Sequence, residues 1–196
     1  MAESIRTFFA VDVPPEVRES AARVRAELEP ASELRWVAEE NLHLTLKFLG
    51  DVDPLEVPKL LGRAVGRVAR QQPFEVGVGG IGASPSLRAS KVLWLGINQG
   101  SAELAKLARK LEAAGRGVGA ARDRQPFRAH LTLARSRQPL AFELNSLPSV
   151  DSQSFCVDEV VLYESRLSSS GSTYLPLARL PLGANPDTPI ELAPEP

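Results

Sequence analysis

The tetrapeptide His-Leu-Thr-Leu occurs twice in this 196-residue chain, at 43–46 and 130–133, and the chain's two histidines are the ones inside it. With 27 leucines and 5 threonines in the chain, composition alone gives about one chance in two thousand that the second histidine is followed by Leu-Thr-Leu. The two copies lie 87 positions apart, and stacked-repeat architectures recur at about 20 to 50 residues. Two copies at the longer interval imply two duplicated halves. Side chains alternate between faces along a strand, so His43 and Thr45 share one face while Leu44 and Leu46 share the other. His130, Thr132, Leu131 and Leu133 repeat the arrangement. The leucines require a core beneath them. Each histidine and threonine then line the opposite surface, about 7 Å apart at a rise of about 3.3 Å per residue.

The rest of the chain reads as strands and helices in an α+β order. RTFFAVDV (6–13) is a short β-rich run ending at Pro14-Pro15, and EVRESAARVRAELEP repeats apolar residues at helical spacing up to Pro30. LRWVA and NLHLTLKFLG read as a strand pair, followed by a second helix in PLEVPKLLGRAVGRVARQ. FEVGVGGIGAS and KVLWLGI are strand-like, SAELAKLARKLEAAG is a third helix closed by Gly115, and PFRAHLTLAR is the next strand. A terminal hairpin is expected from one strand over 154–166 and a partner in TYLPLARLPL, which Pro176 and Pro181 mark as an edge or bulged strand. Residues 1–182 therefore form one domain, and the proline-rich GANPDTPIELAPEP at 183–196 is expected to be a disordered tail.

Bulk properties narrow the function. A net charge of -1 offers no global attraction for nucleic acid or an acidic membrane, so any phosphate site must be local. One cysteine, Cys156, excludes an intrachain disulfide and a multi-cysteine zinc site, and it reads as a small apolar residue in a buried strand. The N-terminal stretch has no basic segment followed by an apolar one, and no run approaches 18 apolar residues; a cytoplasmic protein is expected. A zinc site needs three or more protein ligands, and a serine hydrolase of the G-x-S-x-G type would leave one histidine idle.

Two imidazoles with ordinary pKa values near 6.5 divide acid and base work at neutral pH, one taking a proton from water and one giving a proton to a leaving oxygen. The threonine hydroxyls donate to phosphoryl oxygens as charge builds there. The chemistry favoured is hydrolysis or transfer at a phosphodiester, with a strained cyclic diester the easiest substrate. No metal or other cofactor is required.

The chain at this point resembles the 2H phosphoesterases, and within them the RNA 2′,3′-cyclic phosphodiesterases, also called 2′-5′ RNA ligases. The resemblance rests on IRTFFAVDVP, NLHLTLKFLGDV, PFRAHLTLAR, and LYESRL followed by Gly171 to Tyr174, together spanning residue 5 to about 177. It implies a bilobal α+β fold in which two antiparallel sheets, related by a pseudo-two-fold duplication, face a central groove with helices outside. It further implies that His43 protonates the departing 3′ oxygen, that His130 activates water, and that Thr45 and Thr132 hold the phosphate. Arg135, five residues after the second histidine, would also contact phosphate, and Phe48, five after the first, would meet the base. Strand parity places Arg135 and Phe48 on the leucine side, where Phe48 would pack in the core, so both roles require the strand to twist or end nearby. Tyr174, Ser165 and Arg128 are further candidates for the groove; Trp36 and Trp94 fall in apolar strands and read as core.

The partners implied are RNA ends carrying a 2′,3′-cyclic phosphate, with nucleotides as further ligands and no membrane, and the protein is expected to be a monomer. Reverse 2′-5′ ligation follows from microscopic reversibility. Two other functions fit the same residues: a cyclic phosphodiesterase acting on a small nucleotide, and an RNA-end-binding protein without turnover. Binding alone calls for cations more than for two titrating imidazoles.

Overall fold

The computed structural model describes residues 3–28, 33–168, 171–185 and 191–192. Strand β1 (Ile5–Asp12) leads into helix α1 (Pro15–Leu28). Pro15 opens the helix, where a missing N–H leaves no bond unmade. Strand β2 (Arg35–Trp36) and strand β3 (His43–Val52) precede helix α2 (Val57–Val68). Strands β4 (Phe74–Ser84) and β5 (Ser90–Gln99) precede helix α3 (Ser101–Gly115) and strand β6 (His130–Leu140). The chain continues through β7 (Gln153–Val157), β8 (Glu159–Ser168), β9 (Gly171–Pro181) and the short β10 (Glu191–Leu192).

All strand pairings are antiparallel, in the order β10-β9-β8-β1-β3-β6-β5-β4-β7, with β2 pairing to β6. The α+β class is as expected, but the two sheets are continuous. They join where β3 meets β6 through the single pair Leu44 and Leu131. The first lobe is β3 and the strands outward through β1, β8 and β9; the second is β6 and the strands outward through β5, β4 and β7. That seam joins the two HLTL segments.

Three local expectations change. Arg35 and Trp36 do not pair with β3, because the edges of β3 are taken by β1 and β6; they pair with Arg135 and Ala134 instead. The single strand expected at 154–166 breaks at Asp158. Before the break β7 pairs with β4 in the second lobe, and after it β8 pairs with β1 in the first. Cys156 is exposed rather than buried, since β7 lies at the sheet edge and points alternate side chains outward. The bulge expected in β9 lies beside Pro176, where the register with β8 shifts. Within the proline-rich tail, Glu191 and Leu192 pair with Arg179 and Ala178 of β9, while 186–190 and 193–196 lie outside the described residues.

A main apolar core underlies both lobes, and a small second cluster gathers Leu34, Leu93 and Ala134. Leu44, Leu46, Leu131 and Leu133 are all at most 2 % exposed and share a cluster with Leu60 and Leu61 of α2 and Leu104, Leu107 and Leu111 of α3. Burying each such leucine contributes about 1.5–3 kcal/mol. The helices thus cover the leucine side of the strands and leave the histidine side open. Among the described residues no helix is long and apolar enough to cross a membrane. A buried cation pins this arrangement: Lys47 Nζ lies 2.6 Å from Glu112 of α3 and 2.9 Å from Asp123, and it donates to the Ala121 carbonyl at 2.8 Å. Lys47 therefore ties β3 to the segment that delivers the second histidine.

Candidate active site

The pair Leu44 and Leu131 sets the two HLTL segments antiparallel, so the His43 end of one meets the Thr132 end of the other. All four polar side chains fall on the face opposite the leucines and are half-buried. The two imidazoles are anchored alike. His43 Nδ1 lies 2.7 Å from the Asn41 carbonyl, and His130 Nδ1 lies 2.8 Å from the Arg128 carbonyl. A carbonyl only accepts, so each Nδ1 carries a proton and each Nε2 is left for other partners. For His43 that partner is Thr45 Oγ1 at 2.9 Å. Asn41 is itself fixed, its side-chain amide donating to the Ser172 carbonyl at 2.7 Å.

The parity objection to Phe48 and Arg135 is removed by two bulges at equivalent places. In the pairing of β1 with β3, Phe9 faces Lys47 and Ala10 faces Thr45, which leaves Leu46 as the extra residue. In the pairing of β5 with β6, Leu93 faces Ala134 and Trp94 faces Thr132, which leaves Leu133 extra. Two successive residues then point to the core, Leu46 with Lys47 and Leu133 with Ala134, and the next side chains, Phe48 and Arg135, change face. Phe48 emerges 55 % exposed beside Phe8, at 5.7 Å between ring centres, rather than in the core. Arg135 emerges exposed, close enough for its charge to act on His43.

Around His43 the first lobe builds an aromatic wall. Phe8, 2 % exposed, lies 4.9 Å from the His43 ring, and Tyr174 meets that ring edge-on at 5.2 Å. Tyr163 stacks on the other side of Phe8 at 5.4 Å and donates its hydroxyl to Asp12 Oδ1 at 2.5 Å. Burial, with the Asp12 carboxylate beside it, pushes the Tyr163 phenol well above its ordinary value and keeps it a donor. Arg179 bridges Asp12 and Glu159. Burial lowers the pKa of His43, assisted by Arg135 and Arg18 and opposed by the Asn41 carbonyl and Asp12.

Tyr174 therefore lies at the site as expected. Ser165 is its neighbour across β8 and β9, and Arg128 contributes its carbonyl while its side chain is exposed. Trp36 packs against the core. Trp94 does not; it shares the histidine face, 6.1 Å from the His130 ring. Sequence reasoning missed Phe8, Asp12 and Tyr163. The alternation of Phe8, Ala10 and Asp12 against Phe9 and Val11 in β1 was the available signal for the first two.

The family model described as LigT like Phosphoesterase matches the chain twice, over residues 11–94 and 95–174. An RNA 2′,3′-cyclic phosphodiesterase of Escherichia coli is 37 % identical over 180 residues, covering 91 % of this chain and 97 % of that protein. A protein of the same name from Geobacillus stearothermophilus is 33 % identical over 92 % of this chain, which spans 58 % of that longer relative. The crystal structure of E. coli LigT complexed with 3′-AMP superposes with a TM-score of 0.80 at 34 % identity, covering 93 % of this chain and 100 % of that one. The TT0787 protein of Thermus thermophilus superposes equally well, at 0.80, with 26 % identity over 91 % of this chain and 98 % of that one. With two histidine-threonine strands meeting at one seam, and with matches over both halves, the chain belongs to the LigT-like phosphoesterase family of 2H phosphoesterases.

Proposed function

We propose that this protein opens RNA 2′,3′-cyclic phosphate ends to 2′-phosphates without a metal ion. The observation that carries the proposal is the paired imidazoles, each holding Nδ1 on a carbonyl two residues upstream and turning Nε2 to the threonine face, where that of His43 meets Thr45 Oγ1. The names of the E. coli and G. stearothermophilus relatives support the substrate class.

In this mechanism His130 Nε2 takes a proton from water as the water oxygen attacks phosphorus. The P–O3′ bond breaks in line, and His43 Nε2 delivers a proton to the departing 3′ oxygen. Thr45, Thr132 and the Arg135 guanidinium stabilise the charge on the non-bridging oxygens. Phe48, exposed on the same face, offers a surface for the base. Burial disfavours the charged form of His43, and a phosphate anion beside it opposes that effect by favouring the imidazolium. His43 thus gains its proton together with substrate.

The second reading, a small cyclic nucleotide as substrate, keeps the same residues; nucleotide complexes of the related E. coli protein with ATP and with NADP+ favour it. The test is incubation in EDTA with an oligonucleotide ending in a 2′,3′-cyclic phosphate and, separately, with the mononucleotide 2′,3′-cyclic phosphate. The RNA reading expects 2′-phosphate from the oligonucleotide at higher kcat/KM, and none from His130→Ala. Preference for the mononucleotide would favour the second reading, and end-binding without product from either would leave only a binding role.

A further inference from the structure

We propose that Trp94 is the platform for the nucleobase of an incoming 5′-hydroxyl RNA end, so that the groove accepts a second strand on the His130 side. The inference rests on the acid and base roles assigned above.

Trp94 is held where a stacking surface is needed. It pairs with Thr132 across β5 and β6, and its ring centre lies 6.1 Å from that of His130. Its neighbour on the other side is Gly82 of β4, and the indole lies directly on that residue. A Cβ built on Gly82 would meet the six-membered ring at 2.2 to 2.5 Å. The absence of a side chain there lets the ring lie down on the sheet. Trp94 belongs to neither core cluster and remains partly exposed.

The first lobe provides an internal control. Its residue at the corresponding place, opposite Thr45, is Ala10. The strand pair therefore closes without a large side chain there, and the indole is peculiar to the lobe that holds His130. In an in-line displacement the attacking group enters on the side of the base and the leaving oxygen departs on the side of the acid. Water as attacker needs no aromatic surface. A nucleoside does, and a partly exposed indole offers a flat, sequence-tolerant one.

The step balances without a co-reactant. The 5′ oxygen attacks phosphorus of the cyclic diester, its proton passes to His130 Nε2, the P–O3′ bond breaks, and the 3′ oxygen takes the proton of His43. The product is a 2′–5′ phosphodiester.

The experiment supplies the full-length protein with a cyclic-phosphate oligonucleotide and a millimolar 5′-hydroxyl oligonucleotide, and reads the ratio of joined to hydrolysed product. Trp94→Ala is expected to lower that ratio about tenfold, the low end of what a base stacked on an aromatic ring gains, with hydrolysis little changed. Trp94→Phe retains most of the ratio. An acceptor whose first nucleotide lacks its base removes the difference between wild type and Trp94→Ala, which tests the contact without relying on the variant alone. An unchanged ratio in Trp94→Ala overturns the inference, as does a wild type that hydrolyses but joins nothing, or a folded Trp94→Ala that loses both reactions together. If the wild type leaves the cyclic phosphate intact, the proposed function falls and this inference with it.

Discussion

The two lobes share a frame and differ in what they place on it. Each has a histidine anchored through Nδ1 two residues back, a threonine two residues on, and a bulge immediately after that threonine. The bulge presents Phe48 in one lobe and Arg135 in the other, and the strand beside the threonine carries Ala10 in one and Trp94 in the other. His43 is enclosed by Phe8 and Tyr174, whereas His130 stands on the more open side beside one indole. Duplication can supply two imidazoles in mirrored places, but acid–base catalysis needs them to behave differently. The difference lies in the neighbours: enclosure makes the proton of His43 costly to hold, and the charge of a bound phosphate is expected to offset that cost.

The sharpest way to break this comparison is to remove either imidazole. His43→Ala and His130→Ala should each lower kcat by about 10²- to 10⁴-fold while circular dichroism stays unchanged. Retained activity in either variant would show that one histidine suffices and that the lobes are not partners. Lys47→Met tests the tie between them. Losing a buried charge that faces two carboxylates costs about 3–5 kcal/mol when all partners are buried, and the exposure of Asp123 reduces the expected loss to about 2–3 kcal/mol in urea unfolding. The two bulge residues should separate by kind. Arg135→Ala is expected to lower kcat/KM about 10- to 100-fold through lost charge stabilisation, and Phe48→Ala about fivefold, mainly through KM. Equal effects would mean that the lobes have not diverged in role.

The smallest effect is on pH dependence. His43 has a lowered pKa in the free protein, and a phosphate anion bound beside it is expected to raise it. The bell for kcat, which reports the complex, should therefore lie at higher pH than the bell for kcat/KM, which reports the free protein. A kcat bell at the same or lower pH would contradict the assignment of His43 as the acid.

Much of this was legible because period-two alternation is a strong constraint. Leu44, Leu46, Leu131 and Leu133 could only face a core, so His43, Thr45, His130 and Thr132 had to face away from it. The helices were legible from their apolar spacing. The fates of Phe48 and Arg135 were not, because one extra residue in a strand inverts every later side chain. Neither Leu46-Lys47 nor Leu133-Ala134 contains the glycine or proline that would mark such an irregularity. Trp94 was misplaced for a related reason. A tryptophan in an apolar run reads as core, and only the pairing with Gly82 and Thr132 shows which face it takes. The break at Asp158 was hidden because strands on either side of it are equally apolar while belonging to different lobes.

That break also bears on whether the duplicated halves are separable. The first half of the chain contributes β1 and β3 to one lobe and then sends β4 across to pair with β5 of the other. The second matched segment begins inside β5, contributes β6 and then, past Asp158, returns β8 to pair with β1 and β9 beside it. Each half thus lends a strand to the other, as two subunits do in a swapped dimer, but within one covalent chain. Cutting the sequence at its repeat boundary would leave each fragment with an open sheet edge and a strand that has lost its site. The two histidine strands are therefore parts of one sheet, and their spacing is inherited from an exchange that neither half can complete alone.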